Sequence, residues 1–147
     1  DLCINEEGEG VMSQMLRVFE KYRCSIVAVM EVEKKDVSKY GIVEGRYIED
    51  DLMIVSNMVE KPSPEDAKSN LAIIGRYILT PNIFTHIANT KPGKGGEIQI
   101  TDALLKQAQD GIVLAYKFKG KRFDCGSLDG FVEATKYFYE KLKNDEK

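Results

Sequence analysis

Two apolar runs rich in β-branched residues limit the folds open to this chain: Cys24-Ser25-Ile26-Val27-Ala28-Val29-Met30 and Leu71-Ala72-Ile73-Ile74-Gly75-Arg76-Tyr77-Ile78-Leu79. A run that does not alternate between apolar and polar suits a strand covered on both faces, as strands of α/β sheets are. Ahead of the first run, past a glycine-bearing acidic start from Glu6 to Gly10, Val11, Met15, Val18, Phe19 and Tyr22 recur at helical spacing and mark one buried face. Strand Leu2–Ile4, helix 11–22 and strand 24–32 are therefore expected to form a right-handed βαβ unit.

Between the two runs the pattern changes. Lys34 to Tyr40 is charged and short, enough for one or two helical turns. Ile42–Ile48 and Met53–Val59 alternate in part around Glu49-Asp50-Asp51, which predicts an antiparallel hairpin. Pro62 and Pro64 break the chain, and Pro64 to Ala67 suits one acidic turn. After the second run, Thr80 can cap a helix with Pro81 at its first position. Lys91 to Gly96 has the composition of a flexible loop. Thr101 and Asp102 then start a helix with Ala103, Leu104 and Ala108 on its apolar face, followed by a strand Ile112–Phe118. A final amphipathic helix, Leu128–Lys143, is expected to turn Phe131, Thr135, Phe138 and Leu142 to one side, with a frayed tail beyond it. The reading is an α/β fold in one domain over 1–147, a mixed sheet flanked by helices with a β-hairpin insertion.

Composition excludes several classes. A net charge of −3 supplies no basic footprint, so no nucleic acid partner is expected. No apolar run approaches the roughly 20 residues that span a bilayer, so no membrane partner is expected either. The opening residues Asp1-Leu2-Cys3-Ile4 do not read as a secretory leader. Cys3, Cys24 and Cys125 lack CxxC spacing and argue against a disulfide scaffold or structural zinc site, leaving reduced thiols and a cytoplasmic location as the expectation. The one histidine, His86, falls in an apparent helix and reads as a surface residue.

Chemistry is available at a few positions. Glu60-Lys61 stands at a strand end before a proline-broken turn, and strand ends are where α/β sheets gather ligands. A carboxylate suits sugar hydroxyls as a pure acceptor, and an ammonium suits phosphate as a point charge. By itself the dipeptide reads more often as a solvated pair. Gly41 permits close backbone approach or simply a turn into a strand. Asn70 offers an amide or a turn residue, and Gly75 marks either ligand approach or a bulge. Asp124, near Gly126, reads by itself as a turn residue. Lys117, Lys119 and Lys121, in one basic stretch with Arg122, read as a solvated strand face rather than a phosphate clamp. Cys125 has no base near it in sequence and is not a convincing nucleophile.

Four stretches, in order, carry a resemblance: Val59-Glu60-Lys61-Pro62, Ser69 to Tyr77, Gly96-Glu97-Ile98-Gln99-Ile100-Thr101-Asp102 and Phe123-Asp124-Cys125-Gly126. Together they resemble bacterial UTP–glucose-1-phosphate uridylyltransferases from about Asp1 to about Leu142. The resemblance implies a partial Rossmann-like nucleotidyltransferase fold and the joining of UTP and glucose 1-phosphate to give UDP-glucose and pyrophosphate with Mg2+. It assigns the sugar to Glu60, the sugar phosphate to the catalytic Lys61, further pocket positions to Gly41, Asn70 and Gly75, and a metal ligand to Asp124, with Glu97 a supporting residue. The family's basic, glycine-rich triphosphate loop has no counterpart in this sequence, and Asp1-Leu2 matches only the end of its Leu-Pro-Asp-Asp-Leu pattern. A C-terminal portion, inactive alone, is therefore expected, from an enzyme whose relatives commonly form homo-oligomers. The alternatives are a nucleotidyltransferase using another nucleotide or sugar phosphate, or a non-catalytic UDP-sugar-binding or assembly module whose open sheet edge invites pairing.

Overall fold

The computed structural model describes residues 1–5, 8–93 and 96–145, so Glu6 and Glu7 of the acidic start, Lys94 and Gly95 of the predicted loop and the end of the tail lie outside the described residues. The chain groups into two compact units, one of Gln14–Phe118 and one of Asp1–Ser13 with Lys119–Lys147.

The larger unit is built on five strands: β2 (Ser25–Glu31), β3 (Gly41–Glu49), β4 (Leu52–Glu60), β5 (Leu71–Ile78) and β6 (Val113–Lys117). They pair in the order β2-β5-β3-β4-β6 and close back onto β2. Only the β2–β6 ladder is parallel, from Ser25↔Val113 to Val29↔Lys117; the others are antiparallel, so the sheet is mixed as expected. Closure leaves none of these five strands with one side wholly unpaired, although β3 and β5 are joined by only two residue pairs. β2 is buried on both faces, with Ile26, Val27 and Ala28 fully enclosed, as its unbroken apolar run requires.

Helices α2 (Ile83–Ala88) and α3 (Ile100–Asp110) pack into the same core. Ile83, Ala103 and Leu104 join Val27, Val43, Met58 and Ile73 in one cluster. Leu104 is completely buried, and this burial rather than the short helix's own propensity is what holds α3 in place. A 3₁₀ helix, Lys34–Lys39, buries Val37 against Ile42 and Ala72. α2 begins at Ile83, two residues after the proline expected to start it, because the first turn from Thr80 and Pro81 closes with i to i+3 bonds. His86 is largely covered, its Nδ1 3.8 Å from the Asp110 carboxylate, rather than a surface residue.

In the smaller unit, β1 (Leu2–Ile4) pairs antiparallel with β7 (Lys121–Phe123), register Leu2↔Phe123 to Ile4↔Lys121. The expected βαβ unit is thus not formed. Both sides of β2 are taken by β5 and β6, and a three-residue strand satisfies its backbone against β7 instead. The helix between them, α1 (Val11–Tyr22), does form, with Val11 and Met15 buried. The last helix, α4 (Leu128–Asp145), buries Ala134 and sets Tyr137 and Phe138 against Phe123, at ring separations of 5.1 and 6.4 Å. Of the face expected to pack, Phe138 meets Phe123 while Phe131 and Leu142 are exposed, and Ala134 and Tyr137 complete the packed stripe instead.

Candidate functional site

The open end of the β3–β4 hairpin brings the central residues together. Gly41 and Glu60 are partners in the ladder, and the Lys61 N–H continues it by donating to the Tyr40 carbonyl at 2.9 Å. Lys61 then leaves the strand in the left-handed region, φ 47°. A non-glycine residue there stores local strain, of order 1–3 kcal/mol, that the surrounding hydrogen bonds must sustain. Its side chain is exposed, and it forms no ion pair with any described residue. Pro62, buried, stops the strand and starts the turn.

Glu60 is half-buried and accepts a hydrogen bond at 2.6 Å from the Thr101 hydroxyl, on the first turn of α3. Thr101 itself is 2% exposed. Gly41 completes the arrangement: a Cβ at that position would stand 2.9 Å from Thr101 Oγ1, 3.0 Å from Glu60 Oε2 and 3.3 Å from Ile73 Cδ1. The glycine therefore has a spatial reason as well as a backbone one. Residue by residue, the structure places Gly41, Glu60 and Thr101 in contact with Lys61 next in chain.

Gly75 lies on β5, where the pairing with β2 passes from Val27↔Tyr77 to Val29↔Ile73. Ile74, Gly75 and Arg76 thus stand against Ala28 alone, and Gly75 adopts φ 67°. Of the two readings open for Gly75, a bulge is present. A bulge re-aims the side chains that follow it, here Tyr77. Burial pushes the Tyr77 phenol above its ordinary range, and the negative charge of Glu60 pushes the same way.

Asn70 stands apart from this group. It immediately precedes Leu71, which pairs with Val43, and its amide donates to the Val32 carbonyl at 3.1 Å while its own carbonyl accepts the Val32 N–H at 3.0 Å. It lines a surface cavity of about 320 Å³ with Glu31, Glu44, Tyr47 and Lys68. Glu97 is exposed and its carboxylate accepts from the Gln99 side chain at 3.3 Å.

Asp124 belongs to the smaller unit. Its carboxylate meets Arg122 Nη2 at 3.2 Å and accepts the Gly126 N–H at 3.2 Å, while its carbonyl accepts from Ser127. The loop is tight: a Cβ on Gly130 would lie 2.1 Å from the Asp124 carbonyl oxygen. Arg122 differs from the lysines of the same stretch. Its side chain is 8% exposed, and its guanidinium also holds Asp1, at 2.7 Å from Nη2 and 3.1 Å from Nε. Lys117 is paired with Glu31 at 2.6 Å, and Lys121 lies 4.6 Å over the Phe123 ring.

The donor set limits what metal the described residues can hold. They contain no cluster of three or more His, Cys, Asp or Glu side chains suited to one ion. The Asp124 side chain is 45% exposed, and a carboxylate offers about four lone-pair positions, of which Arg122 and Gly126 use two. That fits a single protein ligand of an ion that takes its remaining oxygens from phosphates and water, as magnesium does.

Two residues escaped the sequence reading. Thr101 looked like a helix-start residue, but α3 is entered through Gln99 without a side-chain cap, which frees the Thr101 hydroxyl for Glu60. Arg122 looked like one of several basic side chains; only its burial between Asp1 and Asp124 distinguishes it.

Comparison with known proteins follows the same lines. The family model described as nucleotidyl transferase matches residues 5–141. A UTP–glucose-1-phosphate uridylyltransferase of Pseudomonas aeruginosa strain PAO1 is 64% identical over 142 residues, covering 97% of this chain and 51% of that protein. One from Mycoplasma genitalium is 44% identical, over 86% of this chain and 44% of its own length. The crystal structure of a UDP-glucose pyrophosphorylase complexed with UDP-glucose superposes with a TM-score of 0.93 at 54% identity, covering 95% of this chain and 53% of that one. A UTP-bound UGPase from Acinetobacter baumannii superposes at 0.81 with 31% identity, over 93% of this chain and 47% of its own. The chain spans about half the length of the curated relatives it matches.

Proposed function

The chain belongs to the nucleotidyl transferase family, and from that premise we propose that it forms the sugar-phosphate side of an enzyme making UDP-glucose and pyrophosphate from UTP and glucose 1-phosphate. The observation that carries the reading is the hairpin end where Gly41, Glu60 and Thr101 meet beside Lys61. A phosphate oxygen of glucose 1-phosphate attacks the α-phosphorus of UTP, a new P–O bond forms, and the bond to the departing pyrophosphate breaks. Such a step asks for positioning and charge neutralisation rather than a covalent enzyme intermediate.

Lys61 neutralises and holds the attacking phosphate. Its exposure and lack of an ion-pair partner among the described residues leave the ammonium available. Glu60 accepts sugar hydroxyls and orients the ring, with Gly41 giving the backbone room to approach it. Asp124 supplies one oxygen to Mg2+, which when bound would offset the charge gathering on the phosphates. Asn70 and Gly75 are assigned to the periphery of the sugar pocket, through the cavity and the bulge they occupy. A cytoplasmic location is part of the proposal and is supported by three cysteines that no disulfide joins. Self-association is also proposed, and sedimentation would measure it.

The test is pyrophosphate release from UTP, glucose 1-phosphate and magnesium, with this chain and the remaining segment of a relative supplied together. Turnover that falls at least a hundredfold in Lys61→Ala is the expected result. Equal turnover in Lys61→Ala would remove the lysine from the site and the reading with it. Replacing UTP by dTTP in the same assay separates the uridylyl enzyme from its nearest rivals.

A further inference from the structure

We propose that Thr101 is a positioning residue for sugar recognition, holding the Glu60 carboxylate so that its remaining lone pairs face the hydroxyls of the sugar phosphate. The inference rests on the assignment of Glu60 to the sugar. An ionised carboxylate only accepts, so the Thr101 hydroxyl is the donor in their 2.6 Å contact. Glu60 stands at a strand end and has three rotatable side-chain bonds, whereas Thr101 is fixed in a helix anchored by the buried Ala103 and Leu104. The rigid partner therefore orders the flexible one before a ligand arrives, which is the physical content of preorganisation.

The neighbouring residues support a dedicated pair. Thr101 is 2% exposed, so its hydroxyl has no bulk water to turn to. The absent Cβ of Gly41 leaves room for both Thr101 Oγ1 and Glu60 Oε2; any side chain there would press on the two oxygens together. The pair joins β4 to the first turn of α3 across 41 residues of sequence, where the partial positive charge of a helix start favours an anion.

The experiment titrates glucose 1-phosphate and, separately, inorganic phosphate into the protein and three variants, following binding by chemical-shift perturbation. Thr101→Val keeps the shape and removes the donor; it should weaken glucose 1-phosphate about tenfold, the size of a lost hydrogen bond to a charged group, and leave inorganic phosphate unchanged. Thr101→Ser should bind both within about twofold of the unaltered protein. Glu60→Gln should weaken glucose 1-phosphate at least as much as Thr101→Val. If Thr101→Val weakens both ligands alike, the threonine merely supports the fold and the inference is overturned. If it weakens neither while Glu60→Gln does, the inference fails and the role of Glu60 stands. If glucose 1-phosphate binds Glu60→Gln as it binds the unaltered protein, or binds neither, the reading beneath it fails. Should Thr101→Val not fold, Thr101→Ala removes the same donor and is expected to show the same selective loss.

Discussion

Lys61 combines a strained backbone with a cation that no described residue pairs, and the two properties can be separated. Glycine adopts φ near 47° without the steric cost that lysine bears there. Lys61→Gly should therefore unfold at the same urea midpoint as the unaltered protein or a higher one, while losing phosphate recognition. A variant with its unfolding free energy lowered by more than about 1 kcal/mol would mean that the side chain, not the function, requires this conformation. Tyr77 supplies a second residue-scale expectation. Because burial and Glu60 raise its phenol, ultraviolet titration should show it ionising above the ordinary tyrosine range of about pH 10, with Glu60→Gln bringing it part of the way back. At this scale the sequence was partly legible. Glu60, Lys61 and Gly41 stand in recognisable runs, but the hydroxyl that orients Glu60 lies 41 residues away and no local pattern points to it.

Elements were most legible where burial on both faces or a clean period dictated them. The strand from Ser25 to Glu31 and the hairpin of Gly41–Glu49 and Leu52–Glu60 appear within a residue or two of expectation, because an apolar run and an alternation each have one good solution. The three-residue strands at Leu2–Ile4 and Lys121–Phe123 are too short to carry a period, so their pairing could only come from tertiary context. The last helix was legible only in part for a related reason: of Phe131, Thr135, Phe138 and Leu142, Phe138 reaches Phe123, but Phe131 and Leu142 are exposed and Ala134 and Tyr137 complete the packed side. Gly130→Ala tests how tightly that helix is joined to the Asp124 loop. A Cβ 2.1 Å from a backbone oxygen forces a shift, so a loss of about 1–3 kcal/mol is expected from urea denaturation, against no measurable change for Gly10→Ala, where nothing lies within 4 Å. Leu104→Ala should cost about 2–5 kcal/mol, since the residue is wholly enclosed where α3 meets the strands.

For the whole molecule, pH links the site to stability. Tyr77 has its folded value raised above the unfolded one, so its contribution is complete below about pH 10 and is lost as pH climbs through the folded value. Thermal melts between pH 8 and 11 should therefore be level at first and then fall, with the fall reduced in Tyr77→Phe. The exposed pairs Lys21–Glu49 and Lys117–Glu31 add little, and raising the salt should move the melting temperature only slightly. The closed circuit of strands carries a different consequence, in the traffic of solvent deuterium. A sheet with two ends usually loses its amide protons from the outside inward, but a ring offers no outside strand at which to begin. Exchange must start instead where the ring is joined most thinly, at the two residue pairs linking β3 to β5, and reach last the amides of β2, which is gripped by five pairs on either side.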